Sequence, residues 1–333
     1  VTQLIKDPDG FVTGLEFRDE EAGRQTRLAA RCVINATGPF CDQLRRLDEP
    51  SATPMIAPSQ GVHLVLPRDF LPRDTAIMVP HTRDGRVMFA IPWHHHVVVG
   101  TTDTPIPSVC LEPQPLEAEV DFILDTASGY LARRPTRADI LSVFTGIRPL
   151  VKAGDNSSTA ALSRDHTIHI SRSGLLTITG GKWTTYRKMA EDGVDHAIVL
   201  ARLTERPCVT KDLHVHGFHR RAEQFGALAG YGSDAVGIDD LRRSRPELAR
   251  PLHDALPLCA AQVVWAARHE MARTLDDVLA RRTRALFLNT RAALAVAPEV
   301  ARLLAVEGNH DAAWQQRQLA DFAEIARGFT AQS

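Results

Sequence analysis

The stretch Gly-Gly-Lys at 180–182 separates a segment that predicts a strand from one that predicts a helix. Residues 174–179 are typical of a strand that leaves a turn, and apolar residues then recur every three or four positions to about residue 203. Glycines here would let the backbone approach a flat or anionic ligand, and the helix N-terminus and the lysine would attract negative charge. The same pattern also fits a plain turn in which Thr184 or Thr185 only caps the helix.

A histidine and an arginine elsewhere in the chain could also act on a ligand. His63 lies among apolar residues of a predicted strand, where most histidines are buried core residues, although its titration range suits a base. Arg148, in Gly-Ile-Arg-Pro, has a restricted backbone that suits a guanidinium presented to a substrate, or it forms a structural ion pair. The histidines at 94–96 predict no metal site, because alternate side chains on a strand point to opposite faces and no nearby cysteine or carboxylate completes a ligand set.

An apolar run that begins at Cys32 ends in small residues, Ala36-Thr37-Gly38. Such a run is typical of a buried parallel strand that ends at a ligand crevice, and the alternative is an ordinary core strand and loop. Pro39 suits the first turn of a helix that continues to about residue 47.

These motifs together resemble those of the FAD-dependent glycerol-3-phosphate dehydrogenases, which belong to the larger group of D-amino-acid-oxidase-like flavoproteins. Gly-Gly-Lys-Trp-Thr-Thr-Tyr-Arg-Lys-Met-Ala at 180–190 resembles the C-terminal signature of that family, and Asn-Ala-Thr-Gly at 35–38 resembles its last FAD-contacting strand. Gly-Thr-Thr-Asp at 100–103, which positions the site or only caps a turn, and the arginine-rich stretch 272–283 are similar to further family motifs. The resemblance extends from about residue 33 to about residue 289 and implies FAD as the cofactor.

The resemblance implies the reaction and the roles of individual residues. Glycerol 3-phosphate would lose a hydride from C2 to the flavin and become dihydroxyacetone phosphate, while a base takes the hydroxyl proton. The positive end of the helix after residue 181 would stabilise charge on the reduced ring. Catalytic roles are implied for His63, as base or hydroxyl orienter, and for Arg148 and Lys182. Substrate contacts are implied for Arg148, Arg164, Lys182 and Thr184, although Asp165 could instead neutralise Arg164. FAD contacts are implied for Thr37, Gly38, Ser59, Gly61, Gly146, Gly180, Gly181, Lys182, Trp183 and Thr184.

The implied fold class is α/β (α+β), with a partial FAD-binding Rossmann-like domain, an antiparallel-sheet substrate domain and a C-terminal α-helical domain. We expect a remnant of the FAD domain at 1–49, the substrate domain at 50–178, the flavin-facing helix of the FAD domain at 179–206 and the helical domain at 207–333. The Gly-x-Gly-x-x-Gly turn expected near the start of such a chain is not in the sequence. The resemblance therefore implies a C-terminal portion of a longer protein, which would hold FAD weakly and be colourless or weakly yellow when purified.

The individual elements follow from periodicity and turn residues. Strands are predicted at 1–5, 11–17, 26–30, 32–38, 60–66, 76–80, 87–93, 96–100, 139–145, 166–171 and 175–179. Helices are predicted at 39–47, 116–131, 186–203, 261–271, 274–282, 290–306 and 311–329, after a linker at 207–217.

Composition narrows the function classes. The chain has 333 residues, enough for two domains, and its 39 Lys and Arg against 40 Asp and Glu give a net charge of −1, which does not indicate nucleic-acid binding. No apolar run approaches the ~20 residues that cross a bilayer. The 5 cysteines are scattered and lack a C-x-x-C pair, which favours reduced thiols in a cytosolic compartment.

The partners are implied by the resemblance alone. They are glycerol 3-phosphate, a quinone acceptor, the inner face of a bacterial cytoplasmic membrane, on which the full-length protein would be peripheral, and a second copy in a homodimer. Three alternatives stay open: oxygen as the acceptor, an amino-acid-type oxidase that uses an arginine for a carboxylate, and a non-catalytic module that cannot hold FAD.

Overall fold

The computed structural model describes residues 1–83, 85–152 and 166–331, and their contacts divide the chain into two compact units. The first unit contains Val1–Gln60, Asp103–Leu111 and Ile147–Leu213. The second unit contains Gly61–Thr102, Glu112–Gly146 and His214–Ser333. This division into two units splits the segment 50–178 and does not test the four domain boundaries expected from the sequence, which stay predictions.

The first unit begins with an antiparallel meander. Its strands are β1 (Gln3–Lys6), β2 (Val12–Asp19) and β3 (Arg24–Ala29), in the order β1-β2-β3. Asp7 shapes the first turn, because its Oδ1 accepts hydrogen bonds from the backbone N–H groups of Asp9 and Phe11 at 3.1 and 2.8 Å. The predicted meander is therefore confirmed, with boundaries that differ by a few residues.

The second sheet of this unit carries the glycine-rich segments. It consists of β4 (Ile34–Asn35), β11 (His166–Ile170) and β12 (Leu176–Gly180), in the order β11-β12-β4, and β4 runs parallel to β12. Helix α1 (Cys41–Asp48) follows β4 after a 3-10 turn, and α3 (Tyr186–Leu200) follows β12 after a second one.

The parallel strand predicted at 32–38 is much shorter than expected, because only Ile34 and Asn35 pair. The buried amide of Asn35 donates to the carbonyl oxygen of Cys41 at 2.9 Å and to Oγ1 of Thr177 at 3.3 Å. Its Oδ1 accepts the hydroxyl of Thr37 at 2.8 Å. These bonds turn the chain toward α1 as soon as the strand has paired.

A six-stranded sheet consists of β5 (Ile56–Pro67), β6 (Ile77–Val79), β7 (Met88–Trp93), β8 (His96–Gly100), β9 (Thr104–Pro105) and β10 (Ser142–Val151). The strand order is β10-β5-β8-β7-β6, and β9 pairs with β5. In the second unit, α2 (Glu117–Ala127) packs on one face of this sheet through buried Val120 and Ile123. The predicted antiparallel sheet with one helix is confirmed.

The helical part of the second unit is built around buried alanines, valines and leucines. Its α-helices are α4 (Ala235–Ser244), α5 (Ala260–His269), α6 (Ala285–Leu288), α7 (Thr290–Gly308) and α8 (Ala312–Arg327). The capping box predicted at 274–277 is confirmed, since Thr274 N–H donates to Oδ2 of Asp277 at 3.1 Å and Asp277 N–H to Oγ1 of Thr274 at 3.3 Å. The residues after it form a π-helix, Asp277–Arg282, and α4 and α6 were not predicted individually.

Two further findings concern the histidine run and the membrane. His94 and His95 form the turn between β7 and β8 with φ of 44° and 62°, so the prediction that the run lies on a strand was wrong for these two residues. In the described ranges, no three or more His, Cys, Asp or Glu side chains are grouped so that they could hold a metal ion. None of the helices among these residues combines the length and the apolar character that a membrane span requires.

Candidate functional site

The turn between β12 and α3 depends on its two glycines. Gly180 and Gly181 have φ of 80° and 69°, a left-handed conformation that other L-residues rarely adopt. A Cβ at position 181 would also collide with Sδ of Met189 and lie 3.4 Å from Cβ of His166. We call the segment Gly180-Gly181-Lys182 the glycine turn. Its backbone has the conformation that the sequence predicts.

Thr185 closes the glycine turn with its side chain. Its hydroxyl accepts the Lys182 N–H at 3.0 Å and donates to the Lys182 carbonyl oxygen at 2.9 Å. Thr185 therefore acts on the turn, whereas the alternative from the sequence was that it caps the helix.

A charged contact holds α3 behind the glycine turn. Asp192 on α3 contacts Nε2 of His166 at 2.9 Å and Nζ of Lys188 at 2.8 Å. His166 lies opposite Gly180 in the β11–β12 pair, so the contact joins the turn to the helix that follows it. The hydrogen bond from Lys188 and then that from His166 hold the pKa of Asp192 below its ordinary value, against the effect of burial.

The residues that follow the turn are open to solvent. Lys182 and Thr184 are exposed, and Trp183 is 84% exposed and stacks on Tyr186 with ring centroids 5.2 Å apart. Large apolar side chains that are grouped and exposed often mark a surface that meets a ligand or another chain. The mouth of α3 thus combines a cation, a hydroxyl and an open aromatic pair.

A cleft of about 370 Å³ lies beside the glycine turn. Its lining is almost wholly apolar and includes Ile34, Ala36, Gly38, Pro149, Gly180 and Met189. Because β4 and β12 are parallel neighbours, their carboxyl ends meet, which brings Gly38 and Gly180 to the same cleft. Gly38 has φ of 55°, and a Cβ built on it meets nothing within 4 Å. The small residues and the open backbone here fit the close approach of a flat cofactor ring.

Arg148 is held by a carboxylate in the same unit. Its Nη1 lies 3.4 Å from Oδ1 of Asp103, which also accepts a short hydrogen bond from the hydroxyl of Ser59. The Arg148 side chain keeps 33% of its surface exposed, whereas that of Asp103 keeps 13%. Arg148 precedes Pro149, a residue of the cleft lining. The ion pair that the sequence left as an alternative is therefore present, and it orients a guanidinium that is still accessible.

His63 lies in a cross-strand row of the second unit. On β5 it pairs with Gly100 on β8, and Gly100 pairs with Phe89 on β7. We call Phe89, Gly100 and His63 the histidine row. A Cβ on Gly100 would lie 2.5 Å from Cδ2 of His63, so only glycine leaves room for the ring. On β10, Phe144 stacks on the same ring with centroids 5.0 Å apart and planes 10° apart. The imidazole is thus packed against one backbone segment and one aromatic ring.

The other residues of the Gly-Thr-Thr-Asp motif support this row. Thr102 is buried, its Oγ1 accepts the Val62 N–H at 3.0 Å, and it donates to Glu119 at 2.9 Å. The strand before His63 is in this way tied to α2. Gly100 and Thr102 of this motif contact the strand that carries His63, and Asp103 contacts Arg148. That the motif positions a functional site stays a prediction.

The face of the sheet that carries His63 is apolar and partly open. Met78 pairs with Phe89, and these two side chains and Ile91 are 59%, 40% and 42% exposed. The opposite face is buried under α2. Such a face would exclude water from the imidazole once a ligand or another surface covers it.

Three of the predicted site residues, Gly61, Gly146 and Arg164, have not yet been located. Gly61 precedes His63 by two positions on β5, and Gly146 follows Phe144 by two positions on β10, so each shares a sheet face with its neighbour. A Cβ on Gly146 meets nothing within 4 Å. Arg164 lies outside the described residues. The first unit contains Thr37, Gly38, Ser59, Arg148 and the residues 180–184, of which Gly38 and Gly180 line the same cleft, and the second unit contains Gly61, His63 and Gly146.

Sequence reasoning missed Phe144 completely. Phe144 stands in a predicted strand, two positions before Gly146, and this alternation was the only signal for a residue on the same face. Asp103 was noticed within its motif, but its contact with Arg148 was not foreseen. Both residues act on partners that are distant in sequence.

Two protein-family models match the chain. Residues 1–187 match the model described as FAD dependent oxidoreductase, and residues 176–315 match the model described as the C-terminal domain of alpha-glycerophosphate oxidase.

Named relatives agree with these matches. The chain is 39% identical over 353 residues to a probable mitochondrial glycerol-3-phosphate dehydrogenase of Caenorhabditis elegans and 36% identical over 356 residues to the mitochondrial glycerol-3-phosphate dehydrogenase of Homo sapiens; each alignment covers 99% of this chain and 48% of the relative. Among solved structures, it is similar to the glycerol-3-phosphate dehydrogenase from Bacillus halodurans complexed with FAD, with a TM-score of 0.82 and 28% identity, over 99% of this chain and 68% of that one. The chain spans about half the length of the curated relatives it matches.

Proposed function

The chain belongs to the family of FAD-dependent oxidoreductases, and on that premise we propose that it supplies the substrate side of an enzyme that oxidises glycerol 3-phosphate to dihydroxyacetone phosphate. The observation that carries the proposal is the similarity, over 99% of the chain, to proteins named glycerol-3-phosphate dehydrogenase. The family resemblance, the fold class and the family's cofactor, FAD, were all predicted correctly from the sequence.

The residues of the first unit fit the cofactor side of this reaction. Bound FAD would accept the hydride from C2 of the substrate. Gly38 and Gly180 both line the cleft, and a Cβ on Gly38 would meet nothing within 4 Å, which supports the approach of a planar ring here. The positive end of α3, reinforced by Lys182, would stabilise negative charge in this region.

Polar side chains would bind the substrate and accept its proton. Arg148, oriented by Asp103, and Lys182 would bind the phosphate or hydroxyl oxygens of the substrate, because a fixed guanidinium and an ammonium are strong donors to oxyanions. A ring nitrogen of His63 would take the C2 hydroxyl proton or orient that hydroxyl. The stack with Phe144 would fix the plane in which this nitrogen is presented.

The substrate can be tested directly. The protein is loaded with FAD, and bleaching of its flavin absorbance is followed without oxygen after addition of glycerol 3-phosphate or of a panel of amino acids. We expect bleaching by glycerol 3-phosphate only. Bleaching by an amino acid and not by glycerol 3-phosphate would establish the amino-acid-type oxidase instead, and a chain that binds no FAD would contradict the proposal for this length of protein.

Substitutions test the assigned site. Arg148→Ala should lower kcat/KM for glycerol 3-phosphate by about 100-fold, since a charge-assisted contact to an oxyanion contributes ~2–3 kcal/mol. His95→Ala is the matched control and should change kcat/KM by less than about twofold, because His95 is an exposed turn residue outside the proposed site. Equal losses in the two variants would remove Arg148 from the site.

For the electron acceptor and the location we propose a quinone and a peripheral position on the inner face of the cytoplasmic membrane, with a homodimer as the assembly. The support is the family resemblance, together with the fact that a lipid-dissolved acceptor has to be met at a membrane. Reoxidation of the reduced protein by a short-chain quinone, compared with oxygen, tests the acceptor. Sedimentation with anionic lipid vesicles tests the location, and faster reoxidation by oxygen would make the protein an oxidase.

A further inference from the structure

A second cavity, of about 670 Å³, lies wholly within the second unit. The β7–β8 turn, residues 215–218, the glycine-rich segment 226–234 and residues 282–288 contribute to its wall. None of the residues assigned to the proposed oxidation site lines it. Its volume is in the range of cavities that hold small molecules.

The backbone of this cavity is strained at three side-chain-bearing residues. His94, His95 and Arg284 all line it and have φ of 44°, 62° and 58°. L-residues with a Cβ adopt such angles at a cost, and strained residues of this kind collect at ligand sites. The two-residue turn between β7 and β8 accounts for the positive φ of His94 and His95, so Arg284 is the residue whose left-handed angle no hairpin explains.

Arg284 gives the cavity a cation without a partner carboxylate. Its Nη1 lies 3.4 Å from Nε2 of His94. Burial first, and then the charge of Arg284, lowers the pKa of His94, which favours the neutral imidazole. In the part of the chain that the structure describes, no carboxylate forms an ion pair with Arg284. The neighbouring Arg281, by contrast, pairs with Asp276 and Asp277. A guanidinium in this situation retains donors for an oxyanion.

Glu270, which also lines the cavity, has a carboxylate oxygen that accepts no hydrogen bond from the described residues. This atom, Oε2, is buried and lies 4.0 Å from Nε of Arg282. Arg282 instead donates to the main-chain carbonyl oxygen of Glu270 at 3.0 and 2.7 Å. A buried acceptor left unsatisfied destabilises the protein, and a hydroxyl group of a ligand would satisfy it.

We propose that this cavity binds a small hydroxylated oxyanion, with its phosphate or carboxylate group at Arg284 and a hydroxyl group donated to Glu270. The carboxyl groups of Glu270 and Asp234 also line the cavity, so the anionic group of the ligand is assigned to Arg284 and not to them. The site is independent of the proposed oxidation site and of the function proposed for it.

Calorimetric titration of the purified chain tests the proposal. Glycerol 2-phosphate, glycerate and inorganic phosphate serve as probes, so that a phosphate group, a carboxylate group and the contribution of the hydroxyls are separated. Glycerol 2-phosphate or glycerate should bind at least about fivefold more tightly than inorganic phosphate. Arg284→Gln should weaken all three by about tenfold or more, whereas Glu270→Gln should weaken only the hydroxylated probes, by about threefold to tenfold.

Matched variants make the result decisive. Arg281→Gln removes a neighbouring arginine whose charge is already paired, and it should leave the affinities at this cavity unchanged. Arg284→Lys should recover part of the binding if charge at this position matters. The melting temperature of each variant shows that it is folded. Absence of binding by the folded wild-type chain at about 10 mM probe, or equal losses in Arg284→Gln and Arg281→Gln, would overturn the proposal.

Discussion

The glycine turn and the histidine row hold candidate functional groups in different ways. In the glycine turn, two left-handed residues set the backbone, and the side chains of residues 182–184 extend into solvent. In the histidine row, the residues lie on paired strands, and the imidazole is placed by contact with Gly100 and by its stack on Phe144. One region is built by dihedral angles and the other by packing.

This difference predicts two kinds of mutational response. A Cβ added in the glycine turn strains the main chain, so the free energy of unfolding should decrease. A Cβ added in the histidine row displaces a side chain, so activity should fall further than stability does. The activity measurements below use the FAD-loaded protein and rest on the proposed function.

The largest expected effect comes from Gly100→Ala. The new Cβ would lie 2.5 Å from Cδ2 of His63 and 2.9 Å from the carbonyl oxygen of Val62, so the imidazole has to move. We expect kcat/KM to fall by about 100-fold, because a displacement of ~1 Å at a reacting group can cost that much. Gly129→Ala is the control, since its Cβ would meet only one atom, at 3.9 Å. Full activity of Gly100→Ala would show that the position of His63 is unimportant.

Gly181→Ala tests the other side of the comparison. The left-handed φ of 69° costs a residue with a Cβ ~1–2 kcal/mol, and the collision with Met189 adds to it. We expect urea unfolding to show a loss of about 2–3 kcal/mol. Gly23→Ala has a similar φ of 63° and nothing within 4 Å, so it should lose only the backbone part, ~1 kcal/mol. Equal losses would mean that the contact with Met189 contributes nothing.

Asp103→Asn tests how the arginine of the first unit is held. Without the carboxylate, Arg148 keeps its charge but loses its ion pair with residue 103. We expect KM for glycerol 3-phosphate to rise by about tenfold with a smaller change in kcat, because an ion-paired hydrogen bond contributes ~1–2 kcal/mol. Asp103→Glu should restore part of the loss. Asp139→Asn, which removes a surface partner of Arg133, should leave both constants unchanged.

The smallest effect is expected from Asp192→Asn behind the glycine turn. The pKa of Asp192 is lowered in the folded protein, so its contribution is fully present above the unfolded value of ~3.9 and is lost as the pH falls through the folded pKa. Thermal unfolding should show a loss of ~0.5 kcal/mol at pH 7 that shrinks below the unfolded pKa and disappears once the pH is below the lowered folded pKa. Asp195→Asn, an exposed residue of the same helix, should show neither the loss nor the pH dependence.

The sequence predicted most of the elements that carry these regions. The glycine pair, the alternating strands around Asp7 and residues 82–86, and the capping box at 274–277 all depend on local rules, and each is present in the structure. The parallel strand at β4 was predicted in kind but not in length. Its end depends on the hydrogen bond between Asn35 and Thr177, which lies 142 positions away in the chain.

The side-chain environment of the site could not be derived in this way. Asp103 and Arg148 are 45 positions apart in the sequence. Whether two such residues meet depends on how strands from different parts of the chain align. The same holds for Gly100 and Phe144, which reach His63 from two neighbouring strands. The roles of His63, Arg148 and Lys182 came from the resemblance to a family, and they stay predictions until the variants are measured.

By itself, the amino-acid sequence determined where this chain turns and which elements it forms, because a left-handed φ demands glycine and because apolar spacing decides between helix and strand. Only the tertiary structure decided that Gly100 makes room for an imidazole and that a carboxylate orients Arg148. The physical reason is that dihedral preferences depend on residues that are close in sequence. Packing and ion pairing depend on residues that are distant in sequence and that the strand register places next to each other.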